Sequence, residues 1–372
     1  MKYGIAGRMA AAFINSKLTP LVIIASLVLG GFAVINTPRE EEPQIIVPML
    51  DVIVQMPGAT AKEVERRVTT PMEKLIWEVP GVEYIYTTSS PGMSMAIVRF
   101  YVGQNQEQSL VRLREKLQGH FDIIPPGASQ PILKAHSIDD VPILALTLHS
   151  DKYGSGELRA LAARVEDAIK KVPDVSQTQI IGGSRRELRV TLDRAKLAGF
   201  GFTADGVAQA IGVTNQRGQA GRFATENQDL AVQTGEFIRT ADDLEAVVAG
   251  VSNGRPVYVR DIATVTDGNE EPANYVSFGY GAAEEGHQAG SMESAVTISV
   301  AKRQGKNAIT IAEKVLAKVD TLKGKTIPTD VYLSVTRNYG ATASEKSGEL
   351  LYHMMIAVVS VTVLIALALG RK

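Results

Sequence analysis

The chain has 372 residues, 45% apolar and 21% charged, with a formal net charge of −1 and no cysteine. This excludes disulfides, thiolate metal sites and cysteine nucleophiles, gives no basic field to hold nucleic acid, and describes neither a disordered chain nor one wholly embedded in a bilayer. The length leaves room for two or three domains.

The first apolar run, 18–35 (LTPLVIIASLVLGGFAVI), carries no charge and approaches the length that spans a bilayer. Lys2, Arg8 and Lys17 precede it and Arg39, Glu40, Glu41 and Glu42 follow, so the positive-inside rule puts its start in the cytoplasm and its end outside. A cleaved signal peptide is the competing reading, but the run is longer than a usual signal core. The three glutamates read as a solvated linker leaving the membrane.

Residues 46–56 are β-branched and apolar and predict a strand, ended by Pro57-Gly58. Val64, Val68, Met72, Leu75 and Val79 then share one helical stripe, stopped by Pro80-Gly81. Strands over 82–88 and 93–102 follow, joined by a tight Ser89-Ser90-Pro91-Gly92 turn. A second amphipathic helix over 107–119, with Leu110, Leu113 and Leu117 inward, and a short strand near 131–136 complete a β-α-β-β-α-β order, which is ferredoxin-like.

The pattern recurs. Strand 142–149 leads to a helix with Leu158, Leu161, Val165, Ile169 and Val172 on one face, and VPDV at 172–175 echoes VPGV at 79–82. After strand 175–181 the second copy is interrupted, and its remainder returns as strand 295–302, helix 307–322 and strand 330–336. Residues 183–275 are therefore expected to be an insertion, carrying a strand at 187–193, a helix near 203–211 and a polar, glycine-punctuated stretch at 212–228 that reads as a long exposed loop. Either that loop is unstructured or it grips a neighbouring subunit.

A last apolar run, 350–369, holds only His353 as an ionisable residue and is followed by Arg371 and Lys372, which return this end to the cytoplasm. Both ends then lie inside, with residues of about 40–345 outside, as expected for the first two spans of a multi-span protein. Proton coupling needs an ionisable group held within the membrane; these two runs offer only His353, which reads as an interfacial residue.

No catalytic constellation is legible, and no cofactor is expected. Gly324-Lys325-Thr326 resembles the end of a P-loop, but Val319 stands where the first glycine belongs and Pro328 blocks the helix. Gly92-Met93-Ser94-Met95-Ala96 resembles a nucleophile elbow whose strand continues where a helix must begin. His120, His136, His149, His287 and His353 show no paired metal spacing. Met93 and Met95, alternating on one strand face, suit core packing or a soft cation. Asp139-Asp140 suits a turn cap or a face toward a cationic substrate.

Several short motifs, weak singly, fall in a telling order: Pro57-Gly58-Ala59-Thr60-Ala61 with Glu63-Val64-Glu65, Pro71-Met72-Glu73, Gly81-Val82, Ser90-x-Gly92, Leu192-Asp193 before Gly201-Phe202-Thr203, Asn215 with Ala220-Gly221, Arg260-Asp261-Ile262-Ala263, and Gly305-Lys306-Asn307-Ala308. Along nearly the whole chain they resemble the resistance–nodulation–division (RND) family of proton-driven efflux pumps. The resemblance implies an α+β fold: two ferredoxin-like porter subdomains (40–136; 137–182 with 276–340), a docking subdomain inserted at 183–275, and flanking membrane segments at 1–39 and 345–372. It implies an inner-membrane homotrimer with a periplasmic adaptor and an outer-membrane channel as partners. Its docking arm makes Asn215, Gly218, Ala220 and Gly221 the expected subunit contacts. Multidrug members line a deep pocket with phenylalanines, where this chain offers Val141, Pro142, Gln179 and Ile181; with Asp140, the last three are the expected substrate-binding residues. The family's proton-coupling carboxylates sit on later helices. The competing reading is a two-span assembly protein, such as a polysaccharide chain-length regulator, or a two-span sensor, against which the repeated short βαβ units argue.

Overall fold

The computed structural model describes residues 4, 12–13, 16–37, 39, 45–137, 140–225, 228–283 and 290–369. Lys2, Arg8, Glu40, Glu41, Glu42, Asp139, His287, Arg371 and Lys372 of the sequence reading lie outside the described residues.

Strands β1 (Met49–Gln55), β2 (Val82–Ser90), β3 (Met93–Phe100) and β4 (Ile132–His136) form an antiparallel sheet in the order β2-β3-β1-β4. Leu50, Val52 and Val54 alternate with Ala96 and Val98 toward two helices, one over 61–77 and one at Gln106–Gln118. A capping box starts the first helix: Thr60 accepts from the Glu63 N–H, and the Glu63 carboxylate accepts from the Thr60 N–H at 2.9 Å. The Thr60 backbone N–H, and the Thr60 hydroxyl donating to the same carboxylate at 2.9 Å, hold the exposed Glu63 carboxyl below the usual range. The expected stripe of this helix is corrected at one position: Ile76, not Leu75, is fully buried after Val64, Val68 and Met72. The cause is a π-helical turn at Glu65–Thr69, which under-winds the helix so that every fourth residue stays on the sheet. Thr69 fills that turn, its hydroxyl 2.8 Å from both Ser89 and Ser94.

The second unit begins with β5 (Leu144–Ser150), the helix Ser155–Ile169 and β6 (Val175–Ile181). The VPGV and VPDV echo is structural. Gly81 and Asp174 both take positive φ, 93° and 69°. Each carbonyl accepts from the residue that follows the matching strand of its sheet, from the Tyr101 N–H at 3.0 Å and the Arg303 N–H at 2.9 Å.

Beyond β6, β7 (Arg186–Leu192) starts an excursion that includes β8 (Gly218–Thr225), β9 (Gln228–Thr234), β10 (Val248–Ser252), β11 (Arg255–Tyr258) and β12 (Ala263–Asn269). β7 pairs with β12 in continuous antiparallel register from Arg186↔Asn269 to Leu192↔Ala263. Arg186 holds Asp267 with two hydrogen bonds, at 2.8 and 2.5 Å, which keeps the Asp267 carboxyl below the usual range. Leu197, Val207, Leu244, Val247, Val257, Val259 and Ile262 form a separate core here. The longest helix of this excursion that was not foreseen is Arg194–Phe200, capped by Asp193 and closed by Gly201; the short helices Ala241–Glu245 and Val259–Ile262 were not foreseen either.

The chain returns through β13 (Ser277–Gly279), β14 (Met292–Lys302), the helix Ala308–Asp320 and β15 (Tyr332–Asn338). β14 pairs with β6 and β13 along one edge and with β5 along the other, and β15 flanks β5. The order β6-β14-β5-β15 is that of the first sheet, with the second, third, first and fourth strands of the unit in sequence. Leu144, Leu146, Leu148, Val296, Ile298 and Val300 meet Leu158, Leu161, Val165, Ile169, Ile311, Val315 and Val319 of the helices in one core.

The final helix, Tyr339–Leu369, starts at the residue after β15, eleven positions before the apolar run that predicts it. Tyr339–Ala368 is long enough to cross a membrane and contains an 18-residue window of mean hydropathy 2.4. Leu18–Asn36 is also helical and exposed, but the apolar part, Leu18–Val34, is shorter, so among the described residues only the last helix reaches that length. The polar first turns of the last helix pack on the helix Ala308–Asp320. A Cβ on Gly340 would lie 2.9 Å from the Ala312 Cβ and 3.0 Å from the Ala308 carbonyl oxygen. Glycine inside a helix costs up to about 1 kcal/mol relative to alanine; here close approach outweighs that cost. Gly340→Val is therefore expected to destabilise the second unit by about 1–3 kcal/mol, read from urea unfolding, while Ala341→Leu, on the exposed side, leaves the midpoint in place.

Candidate functional site

The first and second sheets carry helices on one face only; the other face of the second sheet is free of helices, with Thr147, Ala295 and Ser299 buried in its middle and Ile181 exposed at its edge. Strand alternation puts Ala145, Thr147 and His149 of β5, Glu293, Ala295, Thr297 and Ser299 of β14, Gln179 and Ile181 of β6, and Ser334 of β15 on that face. Thr297 lies opposite Ile181 and Thr147, and Ser299 lies opposite Gln179 and Ala145. This face is a hydroxyl ladder. Thr147 Oγ1 lies 2.9 Å from Thr297 Oγ1 and 3.1 Å from Thr336 Oγ1, and Ser299 donates weakly to the Gln179 carbonyl at 3.4 Å. A bulge between Val335 and Arg337 turns Thr336 toward Thr147.

One end of the face is closed. His149 is only 2% exposed. Its Nδ1 lies 2.7 Å from Glu293 Oε2 and its Nε2 lies 2.9 Å from the Ser334 hydroxyl, so both ring nitrogens are satisfied. Phe278 stacks on the imidazole at 3.8 Å, Tyr332 lies 5.7 Å from it and Tyr280 meets it edge-on at 5.9 Å. Five side chains from three other chain segments thus converge on one imidazole. Sequence reading passed over it because its carboxylate partner is 144 residues away; the one local hint was a histidine on a strand that otherwise alternates Leu with Ala and Thr.

The expected substrate-binding residues scatter around this face. Gln179 and Ile181 lie on its open edge, Ile181 42% exposed. Pro142 is half-buried just before β5. Asp140 caps a turn, its carboxylate accepting from the Ser137 N–H at 2.8 Å, and is not brought to Gln179.

The expected loop at 212–228 is corrected: from Gly218 it is the first arm of a β-hairpin, β8 with β9, bulged between Gln219 and Gly221. No core buries either strand, so no hydrophobic alternation marked it, and the ladder alone holds it. Phe223 lies opposite Leu230, and Gly221 opposite Val232, which leaves Phe223 (54% exposed), Leu230 (40%) and Val232 bare along one side. Gly218, Ala220 and Gly221 lie in β8, and all are exposed. Asn215 instead turns to the hairpin base, its side-chain carbonyl accepting from the Ile238 N–H at 2.9 Å.

The enzyme-like motifs dissolve in the fold. Lys325 and Thr326 donate their N–H groups to the Leu322 carbonyl in a tight loop leading to β15, with no helix to cradle a phosphate. Gly92 is a turn residue, and strand β3 runs straight from Met93 through Ala96 to Phe100. Met93 and Met95 lie on the helix-free face of the first sheet, and no cluster of three metal-ligating residues occurs among the described residues.

Two repeated sheets of one strand order, each free of helices on one face, and a sheet strand running directly into a helix long and apolar enough to cross a membrane define this α+β module. Residues 9–371 match the AcrB/AcrD/AcrF family, and the chain belongs to that family of RND permeases, which are transporters and not enzymes. Among its relatives, the Multidrug resistance proteins MdtC of Yersinia pseudotuberculosis serotype O:1b (strain IP 31758) and of Yersinia pestis bv. Antiqua (strain Angola) are each 26% identical over 366 residues. Those alignments cover 97% of this chain and 34% of each relative, so the chain spans about a third of the length of the curated relatives it matches.

The closed end of the face gives a direct test. His149→Leu removes two hydrogen bonds and leaves Glu293 without its imidazole. A loss of about 1–3 kcal/mol is expected from urea unfolding, with most of it recovered in the double variant His149→Leu, Glu293→Leu, because no acid is then left without a partner.

Proposed function

We propose that this chain is the N-terminal part of the inner-membrane permease of a proton-driven efflux pump, and that the helix-free face of its second sheet forms one wall of the substrate path. In this reading the two βαββαβ units, 40–136 and 137–182 with 276–340, are ferredoxin-like porter subdomains outside the membrane, in the periplasm. Residues 183–275 are the docking subdomain, and 1–39 and 345–372 carry two transmembrane helices. The helix-free face of the second sheet carries the proposal: a sheet surface of mixed apolar and hydroxyl character, unclaimed by its own helices and exposed at its Ile181 edge, is suited to line a path. Gln179, Ile181 and Pro142 line its open end, with Asp140 at the entry turn. Within the apolar runs 18–35 and 350–369 His353 is the one group that titrates near neutral pH, so proton coupling is assigned to other helices of the pump. The Multidrug resistance protein MdtC relatives support an export role by name.

The hairpin β8–β9 is proposed as the arm by which one subunit grips the next in a homotrimer, through Gly218, Ala220, Gly221 and the bare side of Phe223 and Leu230, with Asn215 fixing its base. A periplasmic adaptor and an outer-membrane channel complete the proposed assembly.

Two measurements on the intact permease test these roles. Ile181→Trp fills the open end of the sheet face, and is expected to change the export rate of at least one dye by about tenfold at unchanged protein level; export rates unaltered across a dye panel would remove this face from the path. Replacing 218–234 by a two-residue turn is expected to leave the subunit folded and to shift native mass spectra from trimer toward monomer, whereas an unchanged trimer population would show that the hairpin is not the grip.

A further inference from the structure

At the edge of the second sheet opposite β6, a groove of about 450 Å³ opens between β15 and the loop that precedes it. Tyr280, Tyr332 and His149 form one wall, Lys323 and Thr329 the rim, and Ile327, Pro328 and Leu333 the apolar side. The volume is that of a small-molecule site. It lies at the far edge from Gln179 and Ile181 and shares His149 and Ser334 with the closed end of the sheet face.

The walls are rigid before any ligand arrives. The Leu322 carbonyl accepts from the N–H groups of Lys325, Thr326 and Ile327 at 3.0–3.1 Å, and Gly324 donates to the Ile327 carbonyl at 2.9 Å. Ile327 and Val331 are buried and anchor both ends of this loop in the core. Across the groove, His149 is fixed by Glu293 and Ser334, and its ring fixes Tyr332 and Tyr280 in turn. A pre-ordered site loses little freedom on binding.

The groove's chemistry is one-sided. It offers one ammonium, two phenol rings and the hydroxyls of Ser334 and Thr329, and its described lining contains no carboxylate. The acids nearby are committed elsewhere: Glu293 to His149, and Asp330 to Lys152 at 3.1 Å. The Lys323 ammonium is held at the rim by Asp320 at 2.8 Å, an exposed pair of small net worth that a ligand anion can displace. Phenol rings pack against flat π surfaces. We infer that this groove binds a planar aromatic anion, an aryl carboxylate, with its ring against Tyr332 and Tyr280 and its carboxylate at Lys323.

Salicylate is the probe, and benzylamine, a ring of similar size with the opposite charge, is its control. Binding to the full chain in detergent is followed by saturation-transfer NMR. Salicylate is expected to bind the parent chain, and Lys323→Gln and Tyr332→Ala are each expected to weaken it about tenfold. Lys325→Gln, on the same loop but outside the groove, should leave it unchanged, and benzylamine should bind the parent no better than it binds the Lys323→Gln chain. Unaltered far-ultraviolet circular dichroism confirms that each variant is folded; Lys323 is exposed, so its variant remains a valid test if Tyr332→Ala unfolds. Equal salicylate binding by parent and Lys323→Gln, binding of benzylamine as strong as salicylate, or no salicylate binding at all overturns the inference.

Discussion

Everything in the second unit depends on β14 coming home. Among the described residues β6 pairs with β14 and with no other strand, so β5 and β6 belong to one sheet only once β14 lies between them. Thr147 shows the span involved: its hydroxyl joins Thr297, 150 residues later, and Thr336, 189 residues later. Loop-closure entropy grows only with the logarithm of loop length, so a long excursion is a modest extra burden. The excursion also folds around its own core of Leu197, Val207, Val247, Val259 and Ile262, and its two ends run side by side as β7 and β12. A folded insert with adjacent ends delivers β14 to its place instead of holding it away.

That closure has a geometric consequence. A β-α-β-β-α-β chain puts both helices on one face of its sheet, and the opposite face is left to other partners. In the second sheet that face is built from Thr147, Thr297, Thr336 and Ser299, whose hydroxyls satisfy one another or the backbone and so tolerate both water and apolar contact. The same sheet is joined without a linker to the helix Tyr339–Leu369, and the crossing at Gly340 locks the first turns of that helix to the unit's second helix. Any tilt of that apolar helix is therefore carried into β15 and β5. His149 sits where that carried motion would be felt, tied to β14 and β15 by hydrogen bonds and to β13 by stacking.

The sequence by itself determined the two repeated units. Their helices bury stripes long enough to outvote local noise, such as Leu158, Leu161, Val165 and Ile169, and their strands alternate. Paired turn signals, VPGV and VPDV, marked the same corner twice because both corners need a residue at positive φ. It also marked the apolar runs, and the motif order that points to the family. The short helix Arg194–Phe200 was signalled only by its caps, Asp193 and Gly201, because seven residues are too few to show a period.

The tertiary structure alone decided the rest. The π-turn at Glu65–Thr69 moved Ile76 into the core at Leu75's expense, a shift in phase that no fixed 3.6-residue period contains. The β8–β9 hairpin has no buried face, so hydrophobic patterning, the signal by which strands are read, is missing from it. The last helix begins at Tyr339 because Gly340 and Ala343 pack on another helix, a contact invisible to hydropathy. The His149 cluster draws on residues 149, 278, 280, 293, 332 and 334. Side chains that distant share no local pattern, and what unites them is the strand register that only the closed sheet provides.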